Sequence, residues 1–228
     1  MRPRRRRPVA LSRYERFRRE VRDLGIEATK DIEILWRSVK DARGSKDALF
    51  DLLPELVAAY HGAAAAAAAD FYDDVRESAG ARGAFTAILM DPPDLGTDAL
   101  VKWALATAEN GESFQSLIAG GVTKRISNGA RNVVTFNSIQ DPSARGWMRT
   151  GAGNCDFCAM LISRGAVYSE ATVDFASHDW CNCGAAPAFD PSQIKAVKSE
   201  FVPSARRKAD ATREKDRARV QAWIADNL

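Results

Sequence analysis

All four cysteines of this chain and one of its two histidines fall in one short stretch. They read Cys155-x2-Cys158, then nineteen residues, then His178-x2-Cys181-x-Cys183. Thiolate sulfur and imidazole nitrogen suit Zn2+, and two short groups of paired ligands let one folded loop wrap a tetrahedral ion. The second group offers three donors, so one of His178, Cys181 and Cys183 is expected to stand outside a four-ligand set. Two disulfides or four free thiols are the competing arrangements. Disulfides are disfavoured because the pair spacings are short and no secretory signal is visible, which implies a reducing compartment.

The region before this cluster has a different character. At 228 residues the chain is long enough for one generous domain or two small ones. No uninterrupted apolar run approaches the roughly twenty residues that span a bilayer, so no membrane partner is expected. Residues 12–42 read as one long amphipathic helix with Ser12 as N-cap. Tyr14, Phe17, Val21, Leu24, Ala28, Ile32, Leu35 and Val39 recur at three- and four-residue steps, on one stripe. Gly25 interrupts that stripe and is expected to bend it. Residues 46–79 read as a helical hairpin or one long bent helix around the run Ala63–Ala69. Alanine favours helix and lets a neighbouring backbone come close, so the run is either a tight helix–helix contact, including one between subunits, or a helical spacer. His61, beside the run, reads as a packing or surface residue. Asp91-Pro92-Pro93-Asp94 is a loop. Residues 95–109 and 112–138 resume helical periodicity, with Leu100 and Trp103 on one face of the first. Leu117, Val122, Ile126 and Val133 lie on one face of the second, weakened by Gly120, Gly121 and Gly129.

The amino terminus, MRPRRRRP, carries five arginines in eight residues. Like charges and two prolines keep residues 1–11 from packing. Arg2, Arg4, Arg5, Arg6 and Arg7, continued by Arg13, Arg16 and Arg19 on the first helix, form a candidate surface for phosphate or an acidic protein. The competing reading is a solubilising tail. At the other end, residues 193–228 read as a helical tail in which the run Arg206–Arg219 alternates basic and acidic side chains, as a solvated helix face does.

Between them, residues 139–192 carry the cysteines in a small α+β unit. A strand is expected at Trp147-Met148, a short helix over Cys155–Ile162, and strands at Ala166–Tyr168 and Ala186–Phe189. Apolar residues are too few here for a robust core, and a structural zinc would supply the missing stability. The expected fold class is mainly α: a basic arm (1–11), a long helical region (12–138), a zinc-stabilised Cys/His module (139–192) and a charged helical tail (193–228).

The module also carries a resemblance. Gly146-Trp147-Met148-Arg149, Cys155-Asp156-Phe157-Cys158-Ala159-Met160-Leu161, Arg164-Gly165-Ala166-Val167-Tyr168, His178-Asp179-Trp180-Cys181-Asn182-Cys183 and the strand Pro187-Ala188-Phe189 resemble the phage Mu F-like minor head proteins. The likeness is to their actinobacterial-phage branch, sometimes labelled capsid maturation protease, and covers roughly residues 125–190. It implies a protein of few copies inside the head. Such a protein would associate with the portal protein or the major capsid protein, with packaged DNA within reach of the arm and self-association through helices.

The protease label finds no catalytic set in the sequence. Hydrolysis by Ser or Cys needs a base and an orienting acid, and the only histidines are His61 and His178. H-E-x-x-H is absent, and the zinc deaminase order of motifs is not met. Catalysis is therefore not expected. A nucleic-acid-binding zinc protein is the first alternative, but the helix after Cys155 offers Asp156, Phe157, Ala159 and Met160, poor readers of base edges. A maturation protease or hydrolase is the second.

Overall fold

The computed structural model describes residues 11–39, 45–91, 94–108, 113–151, 156–168, 175, 177 and 180–193. The expected arm and nearly all of the expected C-terminal tail lie outside the described residues.

Four helices make the body. α1 (Arg13–Val39) begins at a reciprocal cap. The Ser12 hydroxyl accepts from the Glu15 amide at 3.3 Å, and the Ser12 amide donates to the Glu15 carboxylate at 2.8 Å. The apolar stripe faces inward as its spacing implies: Phe17, Val21, Ala28 and Ile32 are buried, and Tyr14, Leu24, Leu35 and Val39 pack at its edges. Gly25 does not break the helix. It lies buried on the stripe, where a Cβ would stand 3.3 Å from Thr123, so its small size sets the approach of the neighbouring helix.

Residues 45–78 form one helix, α2 (Ser45–Ser78), running through Pro54 rather than folding back as a hairpin. By length and composition Asp47–Ser78 is apolar enough to cross a membrane. Yet Leu53, Val57, Ala64, Ala68 and Tyr72 are fully buried within the bundle, as in a core helix of a folded domain. The alanine run thus makes a helix–helix contact within the chain.

α3 (Thr97–Ala108) buries Thr97, Leu100, Val101 and Ala104. Trp103, expected beside Leu100 on the inner face, is 47% exposed. α4 (Phe114–Gln140) is the central element and packs on α1, α2, α3 and both strands of the cysteine region. Ser113 caps it, its hydroxyl accepting from the Ser116 amide. The glycines that weaken its apolar pattern are where neighbours come closest. A Cβ on Gly129 would fall 2.8 Å from the His61 backbone oxygen, and one on Gly121 would fall 2.4 Å from a Leu100 methyl carbon.

The link from α2 to α3 is extended and held by buried polar groups. Arg76 pairs with the buried Asp141 carboxylate at 2.8 Å and donates to the carbonyls of Arg82 and Gly83. The Asn137 side chain exchanges two hydrogen bonds with the backbone of Ile88, at 2.7 and 3.0 Å, as a strand partner would.

After α4 come β1 (Trp147–Thr150), α5 (Asp156–Ser163) and β2 (Gly184–Pro187). β1 and β2 pair antiparallel, Trp147 opposite Pro187 and Thr150 opposite Gly184. β2 therefore starts two residues earlier than the sequence suggests. The strand expected at 166–168 is reduced to isolated bridge positions at Ala166 and Tyr168, with Tyr168 paired to Trp147. Trp147 is fully buried and stacks on Tyr168, with centroids 4.2 Å apart, and on Phe175 at 5.6 Å. The hydrophobic core is one cluster running from α1, α2 and α4 into Trp147, Cys158, Phe175, Cys181 and Ala186. At one end of the molecule, Ser12, Arg13 and Tyr14 line a shallow groove with Val75, Ser78, Phe189, Asp190 and Pro191.

Candidate metal centre

Three side chains expected to hold a metal converge. The sulfurs of Cys158, Cys181 and Cys183 all lie within 4.8 Å of one another, and all three residues are buried. α5 contributes Cys158 from its first turn. The turn before β2 contributes Cys181 and Cys183, which the backbone conformation at Trp180 helps to place. Trp180 has φ 61°, a left-handed geometry uncommon for a bulky residue, and its ring is half exposed. Cys155 and His178 lie outside the described residues.

None of the three cysteines is in a disulfide. The Cys158 and Cys181 sulfurs are 3.8 Å apart, far beyond the roughly 2.05 Å of an S–S bond. A tetrahedral ion with Zn–S bonds of about 2.3 Å would hold its sulfurs about 3.8 Å apart. The donor set therefore fits a thiophilic divalent ion. In such a site the three thiolates would bind the ion, which would supply a cross-link between α5 and the β2 turn.

The electrostatics of the cluster act in opposite directions on Cys181 and Cys183. A hydrogen bond from Cys183, followed by backbone and guanidinium contributions, holds the Cys181 thiol down to about 4. The same contact, with burial, pushes the Cys183 thiol up.

Two arginines that the sequence reading missed stand behind the cluster. Arg131, from the middle of α4, is 1% exposed. Its guanidinium donates to the Cys183 carbonyl at 2.9 and 2.8 Å and to the Cys181 carbonyl at 2.6 Å. Arg149 of β1 is also buried, and both guanidiniums lie against the Phe175 ring, at 4.8 and 3.7 Å from its centroid. A signal for Arg131 was present. It sits four residues after Ser127 and four before Thr135, on a polar line down an otherwise buried helix. α1 reaches the site as well, since a Cβ on Gly184 would lie 3.2 Å from the Arg18 side chain.

Of the basic residues expected to meet a partner, Arg2, Arg4, Arg5, Arg6 and Arg7 lie outside the described residues. Arg13 is engaged internally: it donates to the Asp74 carbonyl at 2.7 Å and to the Ser78 hydroxyl, placing a cation at the carboxyl end of α2. Arg16 donates to the Leu11 carbonyl at 2.8 Å, and Arg19 is exposed on α1.

A mainly helical body with a small thiol-lined centre, wedged between a helix and a two-stranded ribbon, defines the class. A family model described as VG15 protein matches residues 9–214, nearly the whole chain. The protein belongs to this family of phage virion-associated proteins. Comparison with curated proteins and with solved structures gives no match.

Proposed function

We propose that this chain is a structural minor head protein of Mu F-like type, placed inside the capsid, whose fold is completed by a structural zinc. Cys158, Cys181 and Cys183 would hold the ion, with Cys155 or His178 as the fourth ligand. The observation that carries the reading is the set of three buried sulfurs within 4.8 Å of one another, one pair of them 3.8 Å apart as on a tetrahedral zinc, in a phage-family chain. The resemblance over residues 125–190 supports the finer assignment to head assembly. The portal protein or the major capsid protein would be the docking partner, and the arginine arm would reach packaged DNA or an acidic protein face.

The role is structural rather than catalytic. His61 is buried, and its Nδ1 has no hydrogen-bond partner among the described residues, so nothing there orients it as a base. An ion wrapped by four protein ligands keeps no open position for substrate.

Purified heads test the proposal. They should contain the chain in few copies per capsid, cross-linked to portal or capsid protein. The isolated protein, prepared without chelator, should carry about one zinc per chain. Heads without the chain would sink the assembly role, and protein without metal would sink the zinc.

A further inference from the structure

We propose that Arg131 is the positioning residue of the metal centre: its buried guanidinium grips both carbonyls of the second cysteine group and balances the negative charge of the metal–thiolate set, tying the ion to helix α4. This rests on the structural-zinc reading.

The first part of the argument is geometric. Among the described residues, every hydrogen bond made by the Arg131 fork ends on this region or on its support. Nε and one terminal nitrogen bond the Cys183 carbonyl, and the same terminal nitrogen bonds the Cys181 carbonyl. The other terminal nitrogen bonds the Asn128 side-chain oxygen at 2.9 Å and the Ser177 hydroxyl at 3.1 Å. Ser177 in turn donates to the same Asn128 oxygen at 3.3 Å. One α4 side chain thus fixes the backbone on both sides of Asn182, and the spacing of two ligand sulfurs follows.

The second part is charge. All of those acceptors are neutral, whereas taking an ionised guanidinium out of water is strongly unfavourable unless an opposite charge is near. No carboxylate bonds Arg131 among the described residues. The groups whose charge acts favourably on it are the sulfurs of Cys181, Cys183 and Cys158, while Arg149 adds a second positive charge. Three thiolates on a divalent ion leave a net charge of −1, and four leave −2. A metal–thiolate set is the counter-charge that a buried Arg131 needs, and three neutral thiols are not.

Cobalt(II) titration of the full chain, read by the thiolate-to-cobalt absorption band, tests the idea. Arg131→Met should weaken cobalt affinity by about 10- to 100-fold, the usual effect of losing an outer partner of a metal ligand. Arg131→Lys keeps the charge but loses the fork, and should recover part of that loss. Asn128→Ala, which only loosens the guanidinium, should weaken binding a few-fold. A folded Arg131→Met protein with wild-type affinity and spectrum overturns the proposal. Should that variant not fold, wild-type affinity in both Arg131→Lys and Asn128→Ala overturns it. A wild-type chain that takes up no cobalt removes the zinc reading and this inference together, whereas wild-type binding with indifferent variants removes this inference alone.

Discussion

At the scale of single residues, His61 is the group most at odds with its surroundings. It is 6% exposed at the contact of α2 with α4, and burial pushes its imidazole down from the ordinary value. The folded protein therefore binds a proton less readily than the unfolded chain, whose histidine titrates near 6.5. Stability from this site is complete above that pH and falls as the pH drops below about 6.5. Urea midpoints at pH 7.5 and 5.5 should differ more in the wild type than in His61→Leu, while the metal centre affects both proteins alike. Equal losses in the two would show that His61 is not the acid-sensitive group. The sequence left this histidine as a packing or a surface residue, because it stands alone beside an alanine run, and burial decides between them. The sequence could not show Arg131 as buried, since an arginine on a helix is ordinarily solvated and only the turn before β2 makes a home for it.

At the scale of elements, the small residues of α4 decide how closely the helices meet. Gly129→Ala raises helix propensity by about 1 kcal/mol. It also drives a methyl into the His61 backbone oxygen, which cannot move without α2. We expect a net destabilisation of about 1–3 kcal/mol. Gly121→Ala meets only the end of the Leu100 side chain and should cost less. Denaturant melts of the two variants check the order, and a stabilised Gly129→Ala would contradict the contact. Here the sequence was legible in one sense and misleading in another. The α1 stripe, the loop at Asp91 and the cap at Ser12 follow from local chemistry. The glycines at 25, 121 and 129 read as weak points because propensity is a property of one helix, whereas their role is in the space between two. The strand at 166–168 failed for a related reason. Its β-branched and aromatic residues suit a ladder, but Tyr168 stacks on Trp147 and the segment makes isolated bridges rather than a continuous strand.

At the scale of the whole molecule, the thiol centre and the bundle share one hydrophobic cluster. The sequence suggested a module dependent on its own metal, because the apolar residues of 139–192 are few. That count omits the face of α4 that covers β2. Removing the proposed metal, or replacing Cys181 with Ser, should therefore lower the melting temperature of the helices too, in one transition followed at 222 nm. A helical signal that melts unchanged while the cysteine region opens would show the two parts to be independent. The groove that joins Ser12–Tyr14 to Phe189–Pro191 has a mechanical consequence. The chain enters and leaves the described body at the same pole. A pull applied between Ser12 and Pro191 would load that seam first and peel it open.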